Sequence, residues 1–104
     1  MERRYAYPTS YLAIIVRYLA WRKQTYGNKS VCFTYEGIFK WIAKHPYYKD
    51  IKKTTMERVI RKLVEHGYLS RVRERPHAIF CLEKKAIEHL KKFLPGFRDY
   101  EVLE

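Results

Sequence analysis

The apolar positions of this chain change period several times, and each change marks an element. From Thr9 to Thr25, Leu12, Ile15, Val16, Leu19 and Ala20 recur three and four residues apart, the stripe of an amphipathic helix. Pro8-Thr9-Ser10 supplies a start signal and Gly27-Asn28 a stop. Ser30 to Phe33 is too short for a helix and rich in strand formers, so a short strand is predicted, ending where Thr34 caps the next helix. That second helix runs from Thr34 to Lys44, with Ile38, Trp41 and Ile42 on one face and Pro46 past its end. His45 to Lys53 mixes proline, two tyrosines and charges, and reads as a loop. The third helix carries the clearest signal. Thr54-Thr55-Met56-Glu57 has the spacing of a capping box with Thr54 at the N-cap; Met56, Val59, Ile60, Leu63 and Val64 form the stripe; Gly67 stands where a left-handed cap belongs.

After Gly67 the period drops from 3.6 toward 2. Tyr68 to Arg73 and Ala78 to Leu82 predict two strands joined by Glu74-Arg75-Pro76-His77, and Glu83 to Leu94 a fourth helix ended by Pro95-Gly96. The result is one α+β domain over residues 9–94, with the C-terminal helix 83–94 included. An N-terminal arm (1–8) precedes it and a loosely held tail (95–104) follows.

Composition narrows what such a domain does. The 104 residues hold 22 Lys and Arg against 11 acids, a formal charge of +11, and the 47% hydrophobic content excludes a disordered basic tail. The longest apolar run, Tyr11 to Val16, cannot span a bilayer, and no signal peptide is read at Met-Glu-Arg-Arg-Tyr. A cytoplasmic protein with a polyanionic partner and no membrane is therefore expected. One Asn and one Gln beside abundant charge is a thermophile pattern. The charge is also partitioned: residues 1–33 carry +5, residues 34–75 carry +6, and residues 76–104 carry none.

The order helix, strand, helix, helix, strand, strand, helix is that of a winged helix-turn-helix domain with a small antiparallel sheet. Thr54 to Leu69 (TTMERVIRKLVEHGYL) resembles the recognition helix and its exit in small archaeal and bacterial winged-helix regulators, the MarR-like and PadR-like groups among them. Cys81 to Leu90 (CLEKKAIEHL) is similar to the step that leads out of the wing in those groups, with Glu83 and Lys85-Ala86 departing from its usual Thr and Gly. The resemblance implies sequence-specific binding of double-stranded DNA and a transcription regulator, with helix 54–66 in the major groove and the 69–82 wing on minor groove or phosphates.

The residues themselves fit that chemistry. On a helix, Arg58, Arg61 and Lys62 fall opposite the apolar stripe, where Arg and Lys can reach guanine edges or phosphates. Thr55 and Arg58 are best placed for base edges, and Arg61 and Lys62 for phosphates as well. Along the wing, alternation puts Arg71 and Arg73 on one face and carries Arg75, stiffened by Pro76, toward a groove. Thr34, Tyr35, Lys52 and Lys53 are expected on the backbone, with Tyr47 and Tyr48 as further phosphate contacts and Tyr5 and Tyr7 in an arm or a frayed terminus. The neutral C-terminal helix, with Phe93, Leu94, Phe97, Tyr100 and Leu103, is expected to make a homodimer. Two other uses share this balance: an RNA-binding or ribosome-associated winged helix, and a protein–protein assembly module whose charges are merely solvated.

Cys32 and Cys81 fall on the first and third predicted strands, which the winged-helix resemblance implies are neighbours, and both turn away from the core if Phe33 and Phe80 point inward. A bridge and two unbonded thiols both remain open. No enzyme is read. The four histidines are scattered, no metal set converges, the four glycines form no phosphate loop and no cofactor is implied.

Overall fold

The computed structural model describes residues 5–74 and 76–103. The described residues form four α-helices, α1 (Thr9–Tyr26), α2 (Tyr35–Lys44), α3 (Lys53–Glu65) and α4 (Lys84–Phe93), and a three-stranded antiparallel sheet of β1 (Cys32–Thr34), β2 (Leu69–Arg73) and β3 (Ile79–Leu82). The strand order is β1-β3-β2, so the first and third strands are neighbours as expected. This α+β arrangement is compatible with a winged helix.

Local chemistry sets most boundaries. Gly27 ends α1 in the left-handed region (φ 72°), and Gly67 turns the chain out of α3 at φ 81°. Thr34 caps α2, its Oγ1 accepting the Gly37 N–H at 3.1 Å. The expected capping box of α3 does not form. The helix starts at Lys53, with Lys52 as N-cap and no side-chain cap bond, so Thr54 lies inside the first turn. An earlier start takes the threonine hydroxyl past the free amides that it was to cap.

The core is centred on α1, which buries Leu12 to Val16 and then Tyr18 to Ala20, well beyond one stripe. That extra burial has a cause: α1 meets α2, α4 and a 3-10 turn, Asp99–Leu103. The C-terminal tail is thus folded, not loose. Phe97 is buried, and Leu94, Tyr100 and Leu103 pack on the core. Arg17 Nε reaches Asp99 at 3.8 Å with its guanidinium over the Phe97 ring, and Lys23 donates to the Val102 carbonyl. The apolar surplus that suggested a partner subunit is spent within the chain, leaving Phe93 exposed.

In the sheet, Phe33 and Phe80 are register partners on the core face, with ring centroids 5.9 Å apart. Cys32 and Cys81 are the next pair and turn to the other face, where their sulfurs are bonded. Leu82 N–H donates to the Val31 carbonyl, which makes Cys32–Cys81 a non-hydrogen-bonded pair, the kind whose side chains come closest. Among the described residues no helix is long and apolar enough to cross a membrane.

Candidate nucleic-acid interface

Amphipathicity fixes what α3 offers. Met56, Val59, Ile60 and Leu63 are buried, which turns Arg58, Arg61 and Lys62 outward together with Lys53 and Thr54. Arg58 and Arg61 make no hydrogen bond or ion pair among the described residues, so their guanidinium donors face solvent. The first turn holds no acid, and Lys52 and Lys53 flank its free amides. The positive end of the helix dipole is therefore reinforced rather than neutralised, a setting for phosphate oxygens.

Two shallow grooves run along this helix. One, about 310 Å³, is lined by Thr55, Arg58, Val59 and Lys62 from α3 and by Tyr5, Tyr7 and Tyr11. The other, about 450 Å³, is lined by Thr54, Arg58, Arg61, Lys62 and Glu65. The structure thus gathers the expected α3 residues on one surface and adds three tyrosines to it. Residues 5–8 are no frayed end. Tyr5 hydroxyl donates to the Tyr47 carbonyl at 2.7 Å, and Tyr7 hydroxyl is hydrogen bonded to His66 Nδ1. Burial, with Tyr68 and Glu65 close by, raises the Tyr7 phenol above its ordinary value, so it stays neutral. Lys62 Nζ lies 5.6 Å from the centre of the Tyr7 ring, which steers that ammonium toward the groove. Arg3 and Arg4 lie outside the described residues.

The wing departs from expectation. Arg71 pairs with Phe80 but Arg73 pairs with Ile79, so β2 carries one extra residue there, a β-bulge. Cross-strand partners share a face, and Phe80 and Ile79 are on opposite faces; the bulge therefore separates Arg71 from Arg73, which plain alternation would have kept together. Arg71 folds back, its guanidinium 5.3 Å from the Phe80 ring centre and 3.5 Å from the Glu74 carboxylate. Arg73 is exposed at the end of the strand. Arg75 lies outside the described residues.

Thr34 and Tyr35 are only partly accessible. The Thr34 hydroxyl is engaged as a cap, and the Tyr35 ring packs edge-on against Phe80 at 4.8 Å and on Phe39 at 5.6 Å. Tyr48, expected on phosphates, is instead buried; it stacks on His45 at 4.3 Å and accepts a hydrogen bond from Arg17 Nη1. Tyr47 remains exposed. Burial and the nearby Arg17 lower the affinity of His45 for a proton. No group of His, Cys, Asp or Glu that could hold a metal occurs among the described residues. No family model, curated protein or solved structure matches the chain.

Proposed function

We propose that this protein binds double-stranded DNA sequence-specifically as a winged-helix transcription regulator of a thermophile's cytoplasm, with α3 in the major groove and the wing on the minor groove or phosphates. The observation that carries the reading is α3 itself. It is a well-anchored helix whose outer face presents Arg58, Arg61 and Lys62, and Arg58 and Arg61 make no hydrogen bond or ion pair among the described residues. A major groove admits one helix, and arginine bonds guanine O6 and N7 in a fork. Thr55 and Arg58 would read bases, and Lys52, Lys53 and Lys62 would hold phosphates. In the wing, Arg73, exposed at the end of β2, and Arg75 would make the contacts, with Arg71 beside them on Phe80 and Glu74.

Selection from random duplex DNA at stated salt tests this. A single enriched motif is expected, bound with affinity that falls roughly 10³-fold or more between about 50 and 200 mM salt if six or more phosphates are neutralised. Binding that RNA displaces better than duplex DNA would move the surface to an RNA partner. Absence of binding to either would leave the charges merely solvated.

A further inference from the structure

Away from α3, the end of α1 and the length of α2 enclose a cleft of about 570 Å³, a size typical of ligand sites. None of its lining residues comes from α3 or the wing, so the DNA-binding proposal makes no use of it. Its walls are aromatic. Trp21 and Tyr26 come from α1 and Trp41 from α2. The Trp21 and Trp41 ring centres are 6.3 Å apart at 39°, and Tyr26 meets Trp21 edge-on at 5.5 Å. Core packing does not account for this wall, because Trp21 is 38% exposed and Tyr26 72%. Flat aromatic faces left open to water favour another flat ring.

The charged part of the lining is basic. Arg22, Lys40 and Lys44 line the cleft, and no acid does. Arg22 Nη2 donates to the Ser30 and Cys32 carbonyls at 2.7 and 2.8 Å, which uses two hydrogen bonds and leaves the charge uncompensated. Its Nε is buried with no partner among the described residues. Lys44 makes no ion pair among the described residues, and Lys40 is shared with Glu36 at 3.0 Å. A stacking wall beside uncompensated positive charge complements a flat ring that carries an anion. We propose that this cleft binds a nucleotide, its base packed against the aromatic wall of Trp21, Tyr26 and Trp41 and its phosphate held by Lys44 and Lys40. A free nucleotide and an unpaired nucleotide of a strand carry the same two groups, and the test separates them.

Trp21 and Trp41 are the two tryptophans of the chain, so a base packed against them alters the protein's own tryptophan emission. The full chain would be titrated with adenosine 5′-monophosphate, with a short oligothymidylate, and with ribose 5-phosphate, which has the anion and no base. Saturable quenching by the first or second, and none by the third, is expected. Similar affinity for both assigns a free nucleotide; much tighter binding of the oligomer assigns an unpaired nucleotide of a strand. Tyr26→Ala, at an exposed position where folding is checked by thermal midpoint, is expected to weaken binding roughly five- to hundredfold. Lys44→Ala is expected to weaken it several-fold and to flatten its salt dependence. Tyr26→Ala is also expected to bind duplex DNA like the parent, so failure of the DNA reading and failure of this one are distinguishable. The proposal is overturned by absence of quenching with both probes, by equal binding of ribose 5-phosphate, or by Tyr26→Ala that binds nucleotide like the parent.

Discussion

Arg58 borders both grooves of α3, and the consequence of losing it differs from that of losing a lysine nearby. A guanidinium that forks onto a base carries sequence information, so Arg58→Ala is expected to cost about 1–3 kcal/mol on the selected site and to relax preference at one position. Lys53, beside the first amides of the helix, can carry none; Lys53→Ala is expected to weaken all sequences alike and to reduce the salt slope by about 1. Quantitative binding to the selected and a scrambled duplex checks both. Gly37 matters for a different reason. A Cβ there would come within 2.7 Å of the Tyr18 hydroxyl oxygen, which belongs to a buried ring. Gly37→Ala is expected to destabilise by about 1–3 kcal/mol through overpacking. In a Tyr18→Phe background the closest contact is gone and only the tight one to Thr34 Oγ1, at 3.3 Å, is left, so the same substitution is expected to cost less than in the parent. Urea unfolding of the four chains measures the difference. Two histidines supply a pH dependence. Burial and the cations around them lower His45 and His89 below the ordinary value near 6.5. Each binds its proton more readily when unfolded, so stability is complete above about pH 6.5 and declines as pH falls through that value toward the folded values. A urea midpoint that drops from about pH 7.5 to about pH 5, with a smaller drop in His89→Gln, is expected.

Among the elements, all four helices and all three strands were legible from periodicity, because each has one face on the core and a glycine, proline or threonine at its end. What escaped was where two signals competed. Threonine and glutamate three residues apart fit a capping box, yet the backbone of Lys52 already opens the helix and the side chains arrive two residues too late. The bulge at Arg71 to Arg73 was unreadable, since alternation assumes one residue per step and the chain there uses two. Tyr48 and the tail escaped because their burial depends on α1, to which distant segments return. The aromatic cleft was hidden for the same reason: Trp41 reads as core from α2 alone, and Trp21 and Tyr26 fall outside the α1 stripe. The Cys32–Cys81 bond is one of the two alternatives that face alternation allows once the winged-helix resemblance makes the first and third strands neighbours. With a sequence separation of 49 between its ends, chain entropy gives it at most about 4 kcal/mol, and reduction is expected to cost about 2–4 kcal/mol. Urea midpoints with and without reductant measure that loss.

For the whole molecule, the surplus of +11 is less an interface than composition suggested. Arg17 and Lys23 hold the C-terminal tail and Arg22 holds β1, so part of the N-terminal share stitches the fold together. The positive surface proposed for DNA is supplied by Lys52 to Lys62 with the end of the wing. The tail packing takes up most of the apolar surface on which a homodimer was expected, leaving Phe93 exposed, so sedimentation at micromolar concentration is expected to give a single chain of 12.7 kDa; a species of twice that mass would show that the remaining face suffices for a dimer. The sulfur bond has a further consequence at this scale. It closes residues 32 to 81 into a covalent ring, and every residue proposed to touch DNA lies inside that ring. A protease that nicks the exposed wing after Arg73 therefore leaves one molecule, whose two pieces migrate together until a thiol opens the ring.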